Sequence, residues 1–387
     1  MDDVKQEFWG DLQVDLYTAN SAIYLANQSL ENLISVNGRK AHRPILSHSQ
    51  IGTYNPGSDI SFASKTASKN TLEVDTFEYA AEEIDITDKM QTPYDLMQHS
   101  LKSIRQGLMN AFEQKYLSEI TNSFHSINGG TAFELLPSNF MDVLQEADSK
   151  LGAFDVPTES SMRAAVLGPN AVAILRRAKA ERETGIGDSV LANGVIGPYH
   201  GWTIVQNNNL PWSATLTIAT KPTDGDTVVI SGVTFTFKTT LGTTAGQVLI
   251  GDDAASARAN LKLAVEGGAG AGTNYIEIGI MNNFILRRKR NVHCSSAEAM
   301  AFTGYGDIAV SETLTAAADI WSAQQQLASF MIRGAIDAVM QFMDIKVGDK
   351  EKGFADLPKG IIGMGTEMFP DGQIASVKMV LDASNFK

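Results

Sequence analysis

A chain of 387 residues is long for one compact core, and 43% hydrophobic against 19% charged residues is the balance of an ordered globular protein with two or three substructures. The net charge of −13 excludes a dedicated nucleic-acid binder, whose surface must be basic to meet phosphates, although not a protein that merely encloses nucleic acid. One cysteine, Cys294, excludes an internal disulfide, and no apolar run reaches the ~18 residues that span a bilayer.

The acidic start "MDDVKQEFWGDLQ" lacks the basic and apolar regions of a secretory signal, so a soluble protein made inside a cell is expected. Leu12, Leu16, Ile23, Leu30 and Leu33 then stand among polar neighbours, the pattern of one or two short amphipathic helices that dock on something else. From Gly38 to Gln91 the chain reads as a long two-stranded excursion. Its tip is cationic at Lys65 and Lys69, and its return carries Glu73, Asp75, Glu78, Glu82, Glu83, Asp85 and Asp88. A ribbon of that length is marginally stable alone in water and calls for a partner surface.

In "TPYDLMQHSLKSIRQGLMNAFEQKYLSEI", Met97, Leu101, Ile104, Leu108, Phe112, Tyr116 and Ile120 recur at helical spacing, predicting one helix roughly 40 Å long with a narrow apolar stripe. Thr92 or Asp95 caps its start, with Pro93 in the first turn. "PSNFMDVLQEADSKLGAF" predicts another helix, and "MRAAVLGPNAVAILRRAKA" a buried strand, a turn and a helix. A strand at Trp202 to Gln206 is entered through Gly197, Pro198 and Gly201 and stopped by three asparagines and Pro211.

From Trp212 to Thr313 the composition shifts towards Gly and Thr. "VVISGVTFTF" is a hairpin with Val228, Ile230, Val233, Phe235 and Phe237 on one face, expected to pack on Leu261 and Val265 of the helix "DAASARANLKLAVEGG". "NYIEIGI" and "DIAVSETL" read as further strands, and the whole segment as a self-contained insertion. Helical character returns in "WSAQQQLASFMIRGAIDAVMQFMDI", and strands around "KGIIGMGTEMFPDGQIASVKMVLDA" close the chain.

The search for chemistry fails in each class. His293 and Cys294 are adjacent and point apart on a strand, with no second pair at metal-ligand spacing. There is no G-x-x-x-x-G-K-[ST], G-x-S-x-G or H-E-x-x-H, and "GGAGAGTNY" precedes a strand where a dinucleotide fingerprint opens a helix. The basic "LRRKRNV" reads first as a solvated strand face, with contact to nucleic acid or an acidic partner as the alternative, and the acids of "EEIDITDK" lack electrophilic partners on an exposed ribbon. No enzyme activity, cofactor or metal is expected.

The order of motifs resembles the major capsid proteins of tailed bacteriophages, whose fold also occurs in encapsulins. It rests on "GRKAHRPILS" before the long loop, and on "LEVDTFEYAAEEIDITDKMQTPYDLMQHSLKSI" leading into the long helix. It rests further on "LGPNAVAILRR", "VLANGVIGPYHGWTIVQNNNLP", "MIRGAIDAVMQ" and "GMGTEMFPDGQIASVKMVL". The resemblance implies an α+β capsid fold. Residues 1–37 would be an N-terminal arm, 38–91 an extended loop lying over a neighbouring subunit, and 92–154 a peripheral domain with its spine helix. Residues 155–212 and 318–365 would form an axial domain, 213–317 a small inserted α/β domain, and 366–387 the C-terminal strands of the peripheral domain. It implies hexamers and pentamers in an icosahedral shell around double-stranded DNA, assembled in the host cytoplasm and carried in the virion. Its partners would be further copies, a portal protein and, in some cases, a cement or decoration protein, with no membrane. The arm is too short for the fused scaffold of some relatives, so a separate scaffolding protein is expected. Lys65, Lys69, Glu73, Asp75, Glu82, Glu83 and Asp88 are the candidates for contacts between subunits. The alternatives are an encapsulin-like compartment, or a surface-binding protein whose insertion recognises a host ligand.

Overall fold

The computed structural model describes residues 22–34, 38–46, 51–57, 59, 62, 64–91, 96–180, 200–350 and 353–384. The expected helices before residue 22, the Thr92, Pro93 and Asp95 helix start, the turn at Gly197 and Pro198, and the Asp88 side chain lie outside the described residues.

Among the described residues, a 3-10 turn (Ile23–Leu25) precedes α1 (Glu31–Ile34), and β1 (Lys40–Leu46) then pairs antiparallel with β2 (Ala67–Glu73), from Lys40 opposite Glu73 to Leu46 opposite Ala67. The ribbon is shorter than expected. After Val74 the chain leaves it, and β3 (Thr76–Ala81) and β4 (Ile84–Asp85) pair with β17 (Ala355–Glu367), which also pairs with β16 (Asp337–Asp349). After α2 (Ile86–Gln91), the long helix α3 (Leu96–Ser118) lies across this sheet. Its stripe is as the periodicity predicts, with Ile104, Leu108, Phe112 and Tyr116 buried. The helix comes so close that a Cβ on Gly360 would sit 2.7 Å from Ile104 and 3.0 Å from Leu108.

A second sheet holds β5 (His125–Ser126), β6 (Arg163–Leu167), β7 (Thr203–Gln206), β8 (Pro211–Leu216), β12 (His293–Cys294), β13 (Ala301–Tyr305), β15 (Trp321–Ile332) and β18 (Ser376–Asp382). Side chains of α4 (Phe140–Gly152) and α5 (Pro169–Ala180) share one apolar core with α3, β6, β15 and β18.

A third, four-stranded sheet runs in the order β11 (Gln247–Leu249), β10 (Val233–Lys238), β9 (Thr227–Ile230), β14 (Val310–Glu312). β9 and β10 turn through Ser231 and Gly232, with φ of 52° and 80°, the pair of left-handed residues that matches strand twist in a two-residue hairpin. Beneath them α6 (Ala254–Glu266) is capped by Asp253, whose carboxylate accepts from the Ser256 N–H at 2.7 Å, and ends at Gly267 with φ 72°.

Several expectations are corrected. The segment from Trp321 forms β15 and β16, joined through Gly334 at φ 85°, and not helices. β15 is paired on both edges and covered on both faces, so Ala328 to Met331, Ser329 among them, are all buried, and a strand buried on both faces shows no alternation to separate it from a helix. The expected grouping of 318–365 with 155–212 is divided: β15 joins β6, whereas β16 and β17 underlie α3. β18 likewise lies in the sheet of β6, not in that of α3. "NYIEIGI" forms no strand, with only Tyr275 bridged to Val248 and Ala271. The basic run ends a π-helical turn (Phe284–Lys289) following α7 (Ile280–Asn283), and is not a strand face. The insertion is not self-contained, because β8, β12 and β13 continue the second sheet and Trp321 and Ala383 belong to its apolar cluster.

Candidate subunit interface

The ribbon is the most exposed apolar part of the described chain. Ile45 and Leu46 end β1, and beyond them Ile51 is fully exposed, Phe62 is 94% exposed and Tyr54 lies open. Exposed apolar groups of this density on a thin ribbon mark a surface meant to be covered. Lys65 and Lys69 are exposed here, Lys69 opposite Pro44 on β1.

The carboxylates behave differently. Glu73 pairs with Arg39 at 3.1 Å and Lys40 at 2.8 Å, closing the ribbon at its base. Asp75 accepts from the Thr76 hydroxyl at 2.8 Å and lies 3.9 Å from Lys115 on α3. Glu82 accepts from the Ser100 hydroxyl, and Glu83 pairs with Lys350 at 2.5 Å. Asp85 accepts from the Thr87 hydroxyl and N–H, which hold its carboxyl below the usual range. Glu73, Asp75, Glu82 and Glu83 thus staple this chain to itself. Any contact they make with another copy is added to those bonds.

The structure brings together a group that the sequence reading missed. Phe77, Tyr79, Phe342 and Ile361 are exposed, with the Phe77 and Phe342 ring centroids 6.2 Å apart. They stand on the sheet face opposite α3, since Gly360, which faces α3, alternates with Ile361 along β17. Gly363 lies between the two rings in register, and a Cβ there would sit 2.8 Å from Phe342 and 3.1 Å from Phe77. The alternation Phe77, Glu78, Tyr79 is visible in the sequence, but only the strand pairing sets Phe342 beside it.

At the ribbon's root, Arg43 of β1 reaches Asp337 at 3.5 Å and Asp371 at 2.5 Å. Asp371 lies in the short helix α8 (Pro370–Ile374). Burial drives the Asp337 carboxyl up to about 6, although Arg43 pulls it down.

Val228, Ile230, Val233, Phe235 and Phe237 are buried in one cluster with Leu261 and Val265, and form core, not surface. Two arginines of the basic run are turned inward, while Arg288 is exposed. Arg287 donates to the Val265 carbonyl at 2.9 Å and the Ala264 carbonyl at 2.6 Å, finishing the end of α6, and Arg290 donates to Asn208 Oδ1 at 3.0 Å. Cys294 is buried, and desolvation pushes its thiol up to about 11. Among the described residues no three His, Cys, Asp or Glu side chains are grouped to hold a metal, and no helix is long and apolar enough to cross a membrane.

No protein-family model and no curated protein matches the chain. Solved structures do. One from Mycobacterium phage Che8 is 14% identical, with 98% of each chain covered and a TM-score of 0.60. The capsid of cyanophage P-SCSP1u is 13% identical over 99% of this chain and 94% of that one, with a TM-score of 0.56. The fold is that of a tailed-phage major capsid protein. A third structure with this capsid fold, the mature capsid of bacteriophage PhiM1, is 12% identical, covering 98% of this chain and 92% of that one at a TM-score of 0.50.

Proposed function

We propose that this chain is a shell-building subunit of a tailed phage. Many copies, as hexamers and pentamers, close an icosahedral shell around double-stranded DNA in the host cytoplasm and remain in the virion. The observation that carries the reading is near-complete coverage by the capsid fold together with a ribbon whose apolar side chains have no cover among the described residues. A subunit that leaves Ile51, Tyr54, Phe62, Phe77 and Tyr79 in water is built to be covered by other copies. Acidity suits the role, because a strongly basic lining would hold the genome fast. The subunit is structural and non-catalytic, and works with a separate scaffolding protein, a portal and, where the shell needs it, a cement protein. The ribbon carries Lys65 and Lys69 onto a neighbouring subunit.

Coexpression with the scaffolding protein from the same phage, followed by negative-stain electron microscopy, tests this. Closed particles are expected, and replacing residues 51–62 by a Gly/Ser linker is expected to abolish them while leaving a folded subunit. Dispersed monomers from the unaltered chain would reject the shell reading, and normal particles from the linker variant would reject the ribbon's role.

A further inference from the structure

Outside the ribbon, two exposed apolar patches carry opposite charge. The first is the free end of the β16–β17 hairpin. Phe354 is 83% exposed there, and its carbonyl accepts from the N–H of Ile86, which opens α2 and is exposed, as is Met90 of the same helix. Glu83, Asp85 and Asp349 are exposed at this end, with Lys350 already paired to Glu83 at 2.5 Å. Asp349 stands directly opposite Asp356 across the hairpin, an arrangement of like charges that costs a sheet stability and that an incoming cation relieves.

The second patch is the helical arm made by α7 and the π-helical turn after it. Ile280 is 93% exposed, and Met281 beside it is exposed too. Ile280, Phe284 and Arg288 recur at steps of four, which places them as neighbours along one face, and Arg288 reaches water. The two patches are rooted at opposite ends of α3. Glu82 donates its N–H to the Pro358 carbonyl near the hairpin's free end and accepts from the Ser100 hydroxyl in the first turns of the helix. Gln114, in the last turns, donates to the Lys289 carbonyl at the end of the arm. The two attachment points are about 20 Å apart along the helix axis.

We propose that the helical arm of one copy docks on the free end of the β16–β17 hairpin of a second copy, with Ile280 and Met281 against Phe354 and Ile86, and Arg288 between Asp349 and Asp356.

The contact rests on the reading of the chain as a shell subunit and adds a second surface to the ribbon's. Both patches are open to water in the single chain, so neither covers the other within one copy. Two hairpin ends, or two arms, would set like charges together, whereas an arm on a hairpin end sets Arg288 against acids. The pairing is therefore heterologous. Each copy offers one patch forwards and one back, and repetition gives a ring or a chain of copies, not an isolated pair. Burial of the four apolar side chains supplies the attraction, and the arginine fixes the register.

Paired cysteines in the full-length chain, coexpressed with the scaffolding protein, test the contact. Ile280→Cys and Phe354→Cys both fall at exposed positions, while Cys294 is buried. Purified particles of the double variant, oxidised with copper phenanthroline, should give a ladder of disulfide-linked copies on non-reducing gels that neither single variant gives, since the bond needs Cα atoms within about 7 Å. Arg288→Glu should lower particle yield about tenfold with an unchanged circular dichroism spectrum of the subunit, and adding Asp349→Lys should restore the yield. Particles without the ladder, an equal ladder from a single variant, normal yield from Arg288→Glu, or no rescue by Asp349→Lys would overturn the contact and leave the shell reading standing. Dispersed monomers from the unaltered chain would reject the shell reading and the contact with it. Should the cysteine pair fail to assemble, the Arg288→Glu yield and its rescue decide.

Discussion

Glu113 is a buried carboxylate in the middle of α3 whose hydrogen-bond partners are neutral. It accepts from the Ala22 N–H at 2.5 Å, Asn207 Nδ2 at 2.8 Å and Asn209 Nδ2 at 2.6 Å, tying two distant stretches of chain to one side chain. Glu113→Leu should lower unfolding stability by about 1–3 kcal/mol for each buried donor left unpaired, measured by urea denaturation. Cys294, buried and with its thiol raised to about 11, should resist iodoacetamide at neutral pH in the folded protein and react in urea. Rapid native labelling would show that the cluster around it opens. Gly372 has no room for a side chain, since a Cβ would sit 1.8 Å from the Ala335 carbonyl oxygen, so Gly372→Ala should displace α8 and lower the melting temperature. None of these roles is legible in the sequence. Glu113 stands between Phe112 and Gln114 like any surface acid, because the asparagines that explain it lie more than 90 residues away.

Elements were legible where burial is one-sided. Helix α3 packs along one stripe and shows the helical period plainly, and the β9–β10 hairpin alternates because its inner face carries Val228, Ile230, Val233, Phe235 and Phe237, while Val229 is the one such residue facing out. Phe235 is fully buried between that hairpin and α6, so Phe235→Ala should cost about 3–5 kcal/mol and loosen the third sheet, read as faster amide exchange in β9 and β10. β15 was illegible for the opposite reason. Buried on both faces at Ala328 to Met331, it offers no alternation, and its neighbours β8, β18 and β6 come from remote parts of the chain. The aromatic face of β3 and β16 needed the strand pairing itself, since Phe77 and Phe342 are 265 positions apart in the numbering and meet only across Gly363.

At the scale of the whole molecule, residues 213–317 are woven into the rest of the chain. β8 and β13 extend the second sheet, Phe302 packs on Trp321 with ring centroids 5.4 Å apart, and Gln114 of α3 donates to the Lys289 carbonyl at 2.9 Å. Excising residues 213–317 with a short linker should therefore yield protein without a cooperative thermal transition, measured by circular dichroism. A graft resting on a solvent-facing loop would leave the melt intact. The sequence revealed the composition shift at this segment but not the seam, which is made of backbone pairing that no residue type announces.

β18 has a consequence for the order of events in synthesis. It lies between β15 and β5, and Val377, Met379 and Leu381 complete the apolar core shared with α3 and α4, yet its residues leave the ribosome after those of every other described strand. A nascent chain of 370 residues still has a gap at the heart of its sheet. Copies can recognise each other as finished bodies only once β18 is in place, which keeps half-made chains out of any assembly that forms beside them.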